Sequence, residues 1–357
     1  MKLTHINQLQ MPTWRWLKIN EAEPVVGLAG NYNKTLQIQN GEKLQIDHQL
    51  PVIDDSQLPK DLRRNLVFTS KNASVGRTIT IGENIKLKEP VILDFEMDDK
   101  NTALFDLIRI NAKTGSEATL VLRYTSKSKR SCFHSGFTYL EVEAGAKIKL
   151  IMAQMLSPAD RNAGAVAATV GEAAAAEVLL GELGSAQTTG SCNIELEGNL
   201  SHADLDGIYI GTGEQKQDFN YRIGFHGKDT EGNITVKGAL AGNAKKVMKS
   251  TIDFITGASG AKGREEETVL TLSDRVINLS APLLLCGEDN VEGEHATSTG
   301  KPDEAKLYYL MSRGFSEKEA RRLIVEASFT PLMRKVEPQP LQEEWREWIQ
   351  GVMHSDA

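Results

Sequence analysis

The sequence predicts a mainly β chain with a solenoid-like core, and three observations lead there. From about Thr78, short segments such as PVILDFEM, ALFDLIRINA, ATLVLRY, NIELEGNL, FNYRIGF and NITVKGAL alternate apolar and polar residues, each ending at Gly, Asn, Asp or a charged turn. Period-two alternation puts one face of a strand on a core and the other in water. No convincing amphipathic helix interrupts this region, and EAAAAEVLL, the one candidate, fits an Ala-rich strand about as well. So long a run of strands without crossover helices excludes a doubly wound α/β fold and leaves a sandwich, a large barrel or a β-solenoid. The third observation favours the solenoid. GSEATLVL at 115–122 and GAKIKLIM at 145–152 both set alternating apolar residues behind a glycine, as coils stacked on recurrent corners would.

Ahead of the strands lies a mixed segment. MPTWRWLKIN forms a short arm with two of the four tryptophans, followed by Pro24, a glycine-containing loop and the strand-like TLQIQN. DDSQLPKDLRRNLVF then reads as one short helix with Asp54, Asp55 or Ser56 near its start.

After Gly300 the pattern turns helical. PDEAKLYYLMSR is one helix, stopped by Gly314. Ser316 followed by Glu319 is a capping box that opens the next. Ala320, Leu323, Ile324 and Ala327 then form an apolar stripe at i, i+3, i+4 and i+7, and Pro331 is expected to bend or end that helix. A third helix carries Leu341, Trp345, Trp348, Ile349 and Val352 on one side. Three short helices hold too little core to stand alone, so they are expected to dock on the β region. An apolar stripe or its tryptophans can also stay free to take a partner protein.

The bulk numbers exclude several classes. The 357 residues exceed the usual span of one compact domain, and 40% hydrophobic with 25% charged residues is ordinary globular composition. A net charge of −7 argues against a dedicated nucleic-acid binder. The basic clusters at Lys127, Lys129 and Arg130, and at Lys245, Lys246 and Lys249, read as solvated turns. MKLTHINQLQ lacks the apolar core of a secretory signal, and nowhere do ~18 apolar residues run together, so no membrane span is expected. Cys132, Cys192 and Cys286 are too few for a disulfide framework. A soluble, cytoplasmic protein with reduced thiols is the expectation.

Motifs for hydrolysis are missing. GLAGNYNKT lacks the glycine before the lysine of a phosphate loop, and GASGAKG runs into the acidic Arg264-Glu265-Glu266-Glu267 instead of a helix. GxSxG, HExxH and CxxC do not occur. What remains is a set of dispersed ligands. Cys132 and His134 in SCFHSG fall on one face if they lie on a strand. The densest group is VEGEH, where Glu292, Glu294 and His295 can bind a metal, share a proton or simply cover a turn. Cys286 approaches them if the turn GEDN brings two strands together. Thiolate, imidazole and carboxylate suit iron or zinc, with thiolate favouring iron–sulfur chemistry. Asp204 and Asp206 in HADLDG share a strand face at ~7 Å, a pairing that a polysaccharide-acting enzyme could use. The low aromatic content, 6%, speaks against that reading.

The continuous segment LSDRVINLSAPLLLCGEDNVEGEHATSTGKPDEAKLYYLMSRGFSEKEARRLIVEASF, Leu272 through Phe329, resembles the C-terminal signature of the SufB/SufD family and is closer to SufD. STIDFITG is similar too. The resemblance implies a right-handed parallel β-helix, 76–297, between a small N-terminal α/β region, 1–75, and a C-terminal helical region, 298–357. It further implies a non-enzymatic subunit of an iron–sulfur cluster assembly scaffold. Such a subunit pairs with a SufB-like paralogue, or with itself in its absence, and its helical region grips a SufC-like ABC ATPase.

Proteins of the SufD type often carry a cysteine two residues ahead of a histidine in the turn before the helices. Here His295 matches the histidine, while the cysteine position falls on Gly293. The resemblance therefore implies His295, with Glu292 or Glu294, as nitrogen and oxygen donors to a transient iron–sulfur cluster at the subunit interface; it assigns no role to Cys286, which is a metal-ligand candidate only by its place across the turn GEDN. Leu323 and Ile324, with Trp345 and Trp348, are the expected contacts for the ATPase.

Overall fold

The computed structural model describes residues 3–355 apart from 14, 28–29 and 57. Trp14 of the expected arm, two residues of GLAGNYNKT and Gln57 lie outside the described residues. Successive strands are laid alternately into two sheets of nine strands each. From Val75 onward each strand pairs in parallel with the strand two further along the chain, so Val75–Ile81 joins Ala103–Ala112 and Val91–Asp98 joins Glu117–Lys127. The result is a parallel β-helix of about eight turns. Side chains that meet between adjacent coils lie about one turn apart in sequence, 29 residues in Asn233–Asp204 and Lys237–Glu266 and 31 in Lys249–Asp218. Among the described residues only the short strands Gln37–Gln39 and Gln45–Asp47 add on antiparallel.

Alternation explains why these residues wind this way. In Val91–Asp98, Val91, Leu93, Phe95 and Met97 are fully buried while the residues between them are half-exposed. The inward side chains stack from coil to coil. Phe95 lies on Tyr124 with ring centroids 4.8 Å apart, and Phe225 on Phe254 at 4.7 Å. Each such pair contributes about 0.5–1.5 kcal/mol beyond the burial of its area. Gly115 and Gly145, the recurrent glycines of the sequence, turn corners at φ of 67° and 65°. An L side chain there costs about 1–2 kcal/mol. EAAAAEVLL contributes the strand Ala175–Glu182.

Helix α1, Lys60–Asn72, starts later than Asp54–Ser56 suggested. Asp54 accepts the Ser56 amide in a turn of its own, and Pro59 takes the cap position with no side-chain hydrogen bond. The helix lays Leu62 and Leu66 on Leu107, Phe137 and Ala165 on the outside of one sheet. The N-terminal arm covers the same sheet further along, with Leu9 and Ile19 against Val247.

Three helices follow the last coil: α2, Glu304–Ser312, α3, Glu317–Met333, and α4, Gln339–Ser355. Asp303 caps α2 by accepting from the amides of Ala305 and Lys306, and the Ser316–Glu319 capping box opens α3 as expected. Pro331 does not end α3 at once, since the helix runs on to Met333. The buried stripe of α3 is Ala320, Val325, Phe329 and Leu332, whereas Leu323 and Ile324 are half-exposed and Ala327 is exposed. Helices α3 and α4 dock on the outer face of the other sheet, against Ile151, Leu179, Leu183 and Ile208. Arg123 reaches Glu344, and the Trp348 indole donates to the Leu183 carbonyl at 2.9 Å.

Two expectations need correction here. Trp345, a candidate ATPase contact, has no exposed surface, because its ring enters the outer face of the solenoid over Gly181. Lys246 and Lys249, read as a solvated turn, are completely buried. Lys246 pairs with Glu267 and Lys249 with Asp218, both at 2.5 Å. Lys246 points into the interior with Met248, whereas Lys249 points outward beneath the N-terminal arm with Val247, and each ammonium meets a carboxylate there. Among the described residues no helix is long and apolar enough to cross a membrane.

Candidate functional site

VEGEH is not a turn. It begins the last strand, Glu292–Gly300, which pairs with Lys262–Thr271 on one side and with no strand of the described residues on the other. The last strand of the second sheet, Ile277–Cys286, is likewise an unpaired edge. All nine residues of Glu292–Gly300 are exposed. The β-helix therefore ends in an open mouth with two free edges.

The register sorts the predicted ligands. Gly293, His295, Thr297 and Thr299 stand over Gly263, Glu265, Glu267 and Val269, which face the interior. A Cβ at Gly293 would meet Leu284 and Phe254, both interior neighbours. Glu292 and Glu294 point the other way, over Lys262 and Arg264, and Glu292 pairs with Lys262 at 3.0 Å. His295 and Glu294 thus lie on opposite faces of one strand, and the expectation that they act as neighbours in a single set gives way to the pleat. Cys286 stands in register over the interior Phe254 and is exposed, so the thiol shares the mouth with His295. Across the mouth Asn278 donates to Thr299 Oγ1 at 3.0 Å, which ties the two edges together.

Beneath His295 lies a buried polar layer that the sequence reading passed over as an acidic run. Glu267 accepts from Lys246 at 2.5 Å, Ser280 at 2.6 Å and Tyr209 at 3.3 Å, so both its oxygens are satisfied. Glu265 is only 3% exposed. One of its oxygens takes the Ser250 hydroxyl at 3.1 Å, and Oε2 meets no donor among the described residues. Leaving such a group unsatisfied costs about 1–3 kcal/mol. Burial pushes the Glu265 carboxyl up to about 7, with Ser250 and Lys246 opposing and Glu267 adding to the rise. Burial also lowers the Lys246 ammonium against the pull of Glu267. The signal that could have found Glu265 is its parity with Gly263 and Glu267 in a strand ending beside VEGEH.

The remaining sequence candidates are accounted for by other contacts. His134 is buried between Asp106 and Asn162, each at 2.6 Å, and burial pushes the Cys132 thiol up to about 11. Asp204 and Asp206 face Lys335, which reaches Asp206 at 2.6 Å, so that pair is a helix-docking contact. Among the described residues the only three His, Cys, Asp or Glu groups whose ligand atoms lie within 4.8 Å of one another are His5, Glu21 and Glu23, all exposed. The mouth residues of one chain therefore form an incomplete ligand set.

On the helical side the exposed apolar surface is α2 and its exit. Tyr308 is 76% exposed, Tyr309 56%, Met311 45% and Phe315 42%. None of these four side chains joins a hydrophobic core cluster among the described residues.

Residues 95–328 match the family described as SUF system FeS cluster assembly, SufBD core domain. The chain belongs to the SufBD family. Among its relatives, the iron–sulfur cluster assembly protein SufD of Bacillus subtilis is 28% identical over 263 residues, 73% of this chain and 60% of that protein. A SufBD family protein of Mycobacterium leprae is 25% identical over 287 residues, 78% of this chain and 72% of the relative. One from Staphylococcus saprophyticus is 27% identical over 273 residues, 75% of this chain and 59% of the relative. The SufBD chain thus spans about 60% of the length of the Bacillus SufD protein. The matched span contains the mouth with His295, Glu265 and Cys286, and also α2.

Proposed function

We propose that this chain is a SufD-like subunit of an iron–sulfur cluster assembly scaffold. The open mouth carries the reading. Two parallel sheets end there in free edges, and an exposed edge is a template for pairing with another chain. A SufB-like paralogue, itself a β-helix, would extend both sheets and place its own ligands opposite His295 and Cys286. In this reading the chain performs no covalent chemistry. It supplies a nitrogen ligand, and the growing cluster is cargo completed by donors from two subunits. A SufC-like ATPase docks on the helical region, and the free aromatic face of α2 is the surface that supports this, in place of the buried Trp345. Three free cysteines fit a reducing, cytoplasmic setting.

The experiment is co-expression with a SufB-like and a SufC-like protein, followed by native mass spectrometry and anaerobic cluster reconstitution. A hetero-complex is expected. His295→Ala should lower cluster yield severalfold and leave the complex and its folding intact, since His295 makes no hydrogen bond among the described residues and surface changes of that kind cost less than ~0.5 kcal/mol. Unchanged yield would remove His295 from the site, and a chain found only with itself would replace the heteromeric reading by a homodimer.

A further inference from the structure

We propose that Glu265, with His295 above it, holds a ferrous ion at the mouth of the β-helix. This rests on the reading of the mouth as the cluster-building end, and adds a ligand from the coil below. Glu265 and His295 are register partners on adjacent parallel strands, both on the interior side. Adjacent strands are ~4.8 Å apart. A cation ~2.1 Å from each donor fits between a carboxylate and an imidazole so placed.

Two features point to a ligand and not to a packing accident. Glu265 is buried, yet Oε2 has no donor among the described residues, although the neighbouring Glu267 has three. The Lys246 ammonium is spent on Glu267 and Ser280. His295 above it is exposed and has no partner of its own among the described residues. A divalent cation would satisfy both at once. Oxygen and imidazole donors suit iron(II). A mononuclear ferrous site of this kind would let the chain hold iron before sulfur arrives.

The test is anaerobic equilibrium dialysis of the full chain against ferrous iron, with thermal unfolding of each variant as a check on folding. Wild type is expected to bind one ferrous ion per chain. Glu265→Gln keeps the shape and the Ser250 contact and should weaken binding at least ~10-fold, as should His295→Ala. Glu265→Asp should recover part of the affinity, and Glu294→Gln, on the outer face, should bind as wild type does. Wild-type affinity in Glu265→Gln, or no ferrous binding by the wild-type chain, overturns the proposal. Loss of affinity in His295→Ala alone also overturns it, while leaving the scaffold reading standing. That reading fails separately, if no partner assembles on the chain in native mass spectrometry.

Discussion

Trp345 occupies the space that Gly181 leaves on the outside of the solenoid. A Cβ built at Gly181 would come within 2.1 Å of the Trp345 ring. The strand Ala175–Glu182 thus carries a glycine where the last helix must touch its backbone, and α4 is anchored by a side chain with no exposed surface. Trp345→Ala is expected to destabilise the protein by about 3–5 kcal/mol, the range for emptying a buried aromatic site. Gly181→Val should loosen α4 as well, by expelling the ring. Urea unfolding followed by circular dichroism checks both. A loss below ~1 kcal/mol for Trp345→Ala would mean that α4 is not held in this way.

Residues Tyr308 and Phe315 should behave in the opposite manner. Both are exposed, and neither belongs to a core cluster. Tyr308→Ala with Phe315→Ala is expected to leave unfolding within ~0.5 kcal/mol of wild type. The same pair should weaken capture of the SufC-like ATPase by about 2 kcal/mol, roughly 30-fold. Surface-immobilised binding measures this, and unchanged affinity would move the docking site off α2.

Glu182 makes stability depend on pH. It lies inside the β-helix, accepting from the Asn162 amide at 3.2 Å, and Asn162 in turn contacts His134. Burial pushes its carboxyl from 4.5 up to about 7, with the His134 charge and the Asn162 hydrogen bond opposing. Between those values the folded chain keeps a proton that the unfolded chain has released. The stabilisation is therefore complete below pH 4.5 and is lost as pH rises through about 7. At ~1.4 kcal/mol per unit the loss amounts to about 3 kcal/mol. Glu182→Gln stays neutral throughout, so it should match wild type in mild acid and exceed its stability at pH ~8 by up to that amount. Denaturation curves for the two proteins that stay parallel across this range would rule the effect out.

The alternating strands, the Gly115 and Gly145 corners, the Ser316 capping box and His295 were all legible in the sequence, because each depends on a local pattern of a few residues. Strand against turn at VEGEH was not. Glu292, Glu294 and His295 suit either, and only pairing with Lys262–Thr271 makes the segment a strand and sends alternate side chains to opposite faces. The burial of Trp345 was not legible for a related reason. A tryptophan on an apolar stripe reads the same whether it meets a partner or its own chain, and Gly181, far away in sequence, decides the matter for Trp345.

By itself the sequence determined the periodicity, and with it the β-solenoid, the helical end and the imidazole beside that junction. The tertiary structure alone decided which charges are inside. Lys246, Lys249 and Glu267 look like solvent-facing residues when read in order, yet coil stacking brings Asp218 to Lys249, and the two facing sheets set Glu267 opposite Lys246 across the interior. The same stacking sets Glu265 under His295 with an oxygen left over. Contacts between coils join residues about one turn of the helix apart, a separation no local pattern records, and the energetics of burial depend on the partner that arrives there.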